Sequence, residues 1–196
     1  AEKVICYSCL FYKVYRINPD TVNEYYIVDS ENQYTLDTVP LSPFDREKSG
    51  IENLLSYQSK YIGDNSNDGA LLNALPLSEY GFVFEIDPEQ YSLTVDYHAT
   101  AWYGNDNLYV EKGLLYNSVS IFLLIDNVES IRWNFSGSSH IVTRDAVEAG
   151  FPDYDRIKPE NSSTISEEAF NEYLEMKMND PSFVEEQFQL LFSVNE

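Results

Sequence analysis

The stretch that most constrains the fold is residues 81–98, "GFVFEIDPEQYSLTVDYH". Phe82, Phe84 and Ile86 recur at every second position, and Leu93, Val95 and Tyr97 do the same after them. A period of two places each triplet on one face of a strand. Between them "DPEQ" sets Pro88 at the second position of a turn, where its fixed φ is already correct. A hairpin with one apolar face is stable only when another layer covers that face.

The cover follows in the chain. Leu114 to Asn127 reads as a helix apolar on most of its circumference, and such a helix belongs between a sheet and a further layer. Its apolar heart, Val119 to Ile125, is too short to span a bilayer, which takes about 20 residues. Ser130 to Ser136 then predicts a strand with Ile131, Trp133 and Phe135 on one face, ended by "SGSS". Upstream, Ile51 to Ser59 predicts a short helix and Asn65 to Leu75 a second, stopped by Pro76. The order helix, strand, strand, helix, strand, then helices predicts an α+β fold, an antiparallel sheet with helices packed on one face.

The flanks are read more coarsely. Residues 3–17 predict one long strand, and 25–30 with 34–39 a hairpin around "ENQ". The two prolines of "PLSPFDREKSG" mark a boundary. These features give an N-terminal β-rich segment over 1–50, an α+β core over 51–157 and a C-terminal helical extension over 158–196. Thr143 to Ala149 predicts a short helix capped by Thr143, "FPDYDRIKPENSST" a polar linker, and Thr164 with Glu167 a capping box. Asp180 and Pro181 predict the start of a last helix, with Val184, Phe188, Leu191 and Phe192 as its stripe.

Charge narrows the partners. With 33 acidic against 12 basic residues, the net charge of −21 repels phosphate backbones and anionic head groups, so nucleic acid is not an expected partner. Cys6 and Cys9 form a C-x-x-C pair, but within a strand residues three apart point to opposite faces, so neither a redox pair nor half a zinc site is expected. No residue pattern calls for a cofactor. The chain begins at Ala1 without Met, which leads to the expectation of a removed upstream signal, lipid anchor or membrane helix.

Residues 63–69, "GDNSNDG", resemble the first half of a calcium loop, with Asp64, Ser66, Asp68 and Gly69 in place. Leu72 and Leu75 stand where the closing ligands belong, and with Leu71 they make a helical apolar face. A helix cap at Asp64 accounts for the same residues with less.

Four blocks, "YQSKYIGDNS", "NALPL", "YSLTVDY" and "NSVSIFLLIDNVESIRWNF", resemble in order and spacing the family catalogued as domain of unknown function 4825, over roughly residues 57–135. Asn67-Asp68 and Ser92 depart from its usual pattern. The resemblance implies Gly63, Asp64, Asn65 and Ser66 as a structural motif, an extracytoplasmic setting in Gram-positive bacteria, and no catalytic residue. Some members resemble antirepressor metallopeptidases, but this chain has no H-E-x-x-H zinc motif.

Thr94, Asp96 and His98 share the strand face opposite Leu93, Val95 and Tyr97, and Arg132 and Asn134 join them if both strands lie in one sheet. The plain meaning is the solvated face of a sheet with a cross-strand ion pair. The sharper one is a binding or acid/base site, with His98 oriented by Asp96. A Ser120, His98 and Asp126 triad lacks the nucleophile elbow. The expected function is a non-catalytic extracytoplasmic binding or sensor module, tethered to the membrane or carried as a lipoprotein, that meets a protein or small-molecule ligand. The alternative is a hydrolase or lyase using Asp96 and His98 beside the loop at 102–109.

Overall fold

A computed structural model describes residues 50–98, 108–159 and 162–193, and the backbone of 4–7, 13–17, 25–28, 33–35 and 194–195. The chain divides into two compact units, Ala1–Pro43 and Phe44–Glu196. In the first, β1 (Val4–Tyr7), β2 (Lys13–Ile17), β3 (Tyr25–Val28) and β4 (Gln33–Thr35) form an antiparallel meander in sequence order. The expected single strand over 3–17 is therefore two, with Cys6 opposite Val14. No glycine or proline marks the reversal in the sequence, which is why the run reads as continuous. A hairpin forms there, but with shorter strands than expected, and Gln33 of the expected turn is already in the second strand, opposite Val28. Cys9, on which the divergence of the two sulfurs depends, lies outside the described residues.

The second unit begins with α1 (Ile51–Leu54), which buries Ile51 and Leu54 and runs into a 3-10 turn at Leu55–Tyr57. Next come α2 (Asn65–Ala74), a 3-10 turn at Ser78–Tyr80, β5 (Phe82–Asp87), β6 (Ser92–Tyr97), α3 (Leu108–Leu124), β7 (Ser130–Phe135) and β8 (Ser138–Thr143). Then follow α4 (Arg144–Gly150), α5 (Tyr154–Ile157), α6 (Glu167–Phe170), a π-helical turn at Asn171–Glu175, a 3-10 turn at Lys177–Asn179, α7 (Pro181–Leu191) and β9 (Ser193–Asn195). The five strands lie in sequence order in one sheet. The α+β class holds, but the sheet is mixed rather than antiparallel. β6 and β7 pair in parallel, from Ser92 opposite Ser130 to Asp96 opposite Asn134. A long connection carrying a helix lets two neighbouring strands run in the same direction.

The alternation in 81–98 does what its period requires. Leu93, Val95 and Tyr97 are buried, as are Ile131, Trp133 and Phe135 on β7. Over them lies α3, with thirteen buried residues. Its interior β-branched residues lower helix propensity by fractions of a kcal/mol, whereas each large apolar side chain buried contributes about 1.5–3 kcal/mol, so packing decides. Trp133 Nε1 donates to Ser118 Oγ at 2.9 Å, both groups being fully buried. Elsewhere on α3, Tyr116 meets Phe170 of α6 edge to face at 5.8 Å. Thus α3 lies between the sheet and helices further along the chain.

The end of α3 is closed by distant parts of the chain. The last four carbonyls of a helix lack internal partners. Here Ile121 O accepts from Ile125 N, Phe122 O from Arg144 Nη1, Leu123 O from Lys158 Nζ and Leu124 O from Ser59 N. Arg144 also donates to Ile125 O and Val128 O. Two cations therefore sit where the helix dipole is negative.

Several local expectations are corrected. Ser130–Ser136 does not end in a loop, because Gly137, at φ 96°, turns the chain into β8, with Phe135 opposite Ser138. α3 starts at Leu108, so Leu108 and Tyr109 of the expected loop at 102–109 are helical, and 102–107 lies outside the described residues. The stretch read as a linker holds α5 and buries Phe151, Tyr154 and Ile157. The cap of α6 is Ser166, which accepts from Ala169 N, and not Thr164. Thr143 and Asp180 cap α4 and α7 as predicted.

Candidate functional site

At "GDNSNDG" the carboxylate of Asp64 accepts from the backbone N–H groups of Ser66 and Asn67 at 3.0 and 3.3 Å. That is a helix N-cap. Gly63, at φ 126°, makes the preceding bend, and its N–H donates to Asp68 Oδ2 at 2.9 Å. Asp68 is buried, and burial pushes its carboxyl above the usual range, against the Gly63 bond and with help from the Asp64 charge. Asn65 and Ser66 form the first turn of α2. Leu72 and Leu75 are buried in the core, the role that conflicts with ligand positions. The implied structural motif thus acts as a cap.

The polar face of the sheet is built by register. Thr94 stands between Glu85 on β5 and Arg132 on β7, and Asp96 between Val83 and Asn134. Continuing across, Asn134 faces Ser139 of β8. In the second row the side chains join. Asn134 Nδ2 donates to Asp96 Oδ1 at 2.7 Å, and Ser139 Oγ donates to Asn134 Oδ1 at 2.7 Å. Arg132 Nη1 donates to Ser139 Oγ at 3.5 Å. The result is a directed chain across three strands, Arg132 to Ser139 to Asn134 to Asp96, from a cation to a carboxylate. Hydrogen bonds in series polarise one another, so the row holds each member in a fixed orientation. Ser139 was missed because β8 was missed; its signal was the alternation "SHIVT" after the Ser136-Gly137 turn.

His98 sits one residue beyond β6 and is exposed, with its backbone N–H donating to Gly81 O at 2.9 Å. Among the described residues, no hydrogen bond joins it to Asp96. Ser120 is fully buried within α3, and Asp126 is bonded to Lys158 at 2.6 Å, so neither meets His98.

Among the described residues no group of three or more His, Cys, Asp or Glu side chains is placed to hold a metal ion, and no helix is long and apolar enough to cross a membrane. No curated protein and no solved structure matches the chain. The segment that carries α2, the two hairpins and α3 is a member of the family its sequence resembles: residues 54–145 match the model of the Domain of unknown function (DUF4825).

Proposed function

We propose that this protein is a non-catalytic binding or sensor module of the cell envelope, working outside the cytoplasm and held at the membrane by an anchor, and that the polar sheet face is its contact surface. The observation that carries the reading is the Arg132–Ser139–Asn134–Asp96 chain. It presents a cation and a carboxylate in fixed positions on an open face, which suits recognition of a protein or small-molecule ligand with complementary polar groups. Asp96 is oriented along the sheet by Asn134, whereas acid/base work would need it to orient His98. The envelope setting rests on the family resemblance alone.

The test uses the complete gene product in a Gram-positive host. Wild-type protein should fractionate with the envelope and cross-link there to a partner. The double variant Asp96→Ala/Asn134→Ala should keep its fold and lose that cross-link. Recovery in the cytosol, or a cross-link unaffected by the double variant, would overturn the proposal. The hydrolase alternative makes the opposite demand: turnover of wall fragments or small esters that disappears in His98→Ala.

A further inference from the structure

Strand β5 ends the five-stranded sheet, and among the described residues only β6 pairs with it. The bond from His98 N to Gly81 O, at 2.9 Å, fixes which way each residue of β5 points its backbone groups. In an antiparallel ladder, bonded and non-bonded pairs alternate. Gly81 and His98 are a bonded pair, so Val83, Glu85 and Asp87 bond to β6 as well, opposite Asp96, Thr94 and Ser92. The N–H and C=O groups of Phe82, Phe84 and Ile86 therefore point away from the sheet. Among the described residues none of these six groups has a hydrogen-bond partner.

This edge lacks the usual protection. Sheet edges are blunted by very short strands, by proline or lysine, by bulges, or by charges that point inward. β5 is six residues long, holds neither proline nor lysine, and pairs with β6 without a break in register. Its inward side chains are Phe82, Phe84 and Ile86. Phe84 rests on α2, where a Cβ built on Gly69 would stand 3.3 Å from its ring. Even so, all three are only half-buried, whereas Leu93, Val95 and Tyr97 on the same face of β6 are buried. The apolar layer is unfinished at this edge, and one more strand would extend it.

The other face of β5 selects the strand. Val83 and Glu85 are exposed there, and Asp87 is half-buried. A second copy of the chain would bring another net charge of −21 to the same edge, and pairing centred on Glu85 would set two carboxylates opposite each other. A basic strand gains from the same positions. We propose that β5 accepts an extended segment of a partner protein by strand addition, the segment alternating apolar residues beside Phe82, Phe84 and Ile86 with lysine or arginine beside Glu85 and Asp87. The contact is made by backbone groups at the sheet edge and not by the Arg132–Ser139–Asn134–Asp96 chain, so this proposal and the contact face proposed above can fail separately.

The test is a nitrogen-15 NMR titration of the whole chain with the hexapeptide acetyl-KVKVTV-amide, whose lysines fall opposite Asp87 and Glu85 in antiparallel pairing. Before peptide is added, the amides of Phe82, Phe84 and Ile86 should exchange with solvent faster than those of Val83 and Glu85. The peptide should then give saturable shifts centred on β5 and slow the exchange of those three amides. Acetyl-EVEVTV-amide should bind about tenfold more weakly, because two cross-strand pairs change sign. N-methylation of the fourth residue, which removes the N–H aimed at Phe84 O, should weaken the lysine peptide about fivefold. Glu85→Lys, on the exposed face where it leaves the fold intact, should weaken the lysine peptide and strengthen the glutamate peptide. Slow exchange at Phe82, Phe84 and Ile86 in the free protein, no saturation at about 10 mM, equal binding of the N-methylated peptide, or a charge preference unaltered by Glu85→Lys would each overturn the proposal.

Discussion

Leu77 fills the space where a side chain at Gly113 would begin: a Cβ built on Gly113 would stand 2.5 Å from Leu77 Cγ. Leu77 is fully buried and holds a left-handed backbone at φ 70°, so it cannot step aside cheaply. Gly113→Ala sets two effects against each other. Alanine gains about 1 kcal/mol of helix propensity, while overpacking costs about 1–3 kcal/mol. With three Leu77 carbons within 3 Å, overpacking wins. The expected outcome is a net loss of about 1–2 kcal/mol in urea denaturation. A more stable variant would show that Leu77 repacks freely.

The bond from Trp133 to Ser118 predicts a second loss. Ser118→Ala removes the acceptor and leaves a fully buried indole N–H without one. Such an orphan costs about 1–3 kcal/mol. Tryptophan fluorescence should follow unfolding at lower denaturant. An unchanged midpoint would mean that another acceptor takes the N–H.

Arg144 holds three backbone carbonyls and Glu148 with one planar fork. A lysine cannot reproduce that geometry. Arg144→Lys should therefore lower stability by roughly 2 kcal/mol despite keeping the charge, because buried carbonyls lose charged donors. Amide exchange at the last turn of α3 should accelerate in step with it. Stability within experimental error of wild type would show that charge alone closes the helix.

His140 supplies a pH dependence. Burial pushes its pKa below the usual histidine value, and neither ring nitrogen has a partner among the described residues. Phe135 and Phe188 lie edge-on to the ring at 6.1 and 5.5 Å. The folded state thus favours neutral His140, and the unfolded chain takes up the proton first. The contribution is complete above the unfolded pKa of about 6.5 and is lost as pH falls toward the depressed folded value. Thermal midpoints of wild type should fall between about pH 7 and pH 5.5, above the range where most carboxylates titrate. His140→Leu should be at least as stable at pH 7 and show a smaller fall. An equal fall in both proteins would remove His140 as the cause.

What the sequence discloses follows how local the determinants are. The faces of β6 and β7 and the caps at Asp64, Thr143 and Asp180 depend on residues a few positions apart, and all form as expected. Whether β6 and β7 run parallel depends on how α3 returns the chain, which no single window encodes. Strand β8 was hidden because Ser136-Gly137 reads equally as an end or as a tight turn. Of the polar face, Asp96, Asn134 and Arg132 were visible from alternation, but the hydrogen bonds that orient them pass through Ser139. The closure of the α3 end was not visible at all, because Arg144 and Lys158 reach the carbonyls of Phe122 and Leu123 from 22 and 35 residues away.

The parallel contact between β6 and β7 also sets the order of assembly. Each strand has an antiparallel neighbour close by in the chain: β5 for β6, and β8 for β7. Those hairpins close short loops and form on a timescale of about 1–10 μs. Joining them at Ser92 and Ser130 closes a far longer loop, whose entropy is recovered only once α3 is seated against both. The middle of the sheet is therefore its last seam to close. In a refolding experiment the protection of β6 and β7 amides toward each other should appear together with burial of Trp133, and later than protection within either hairpin.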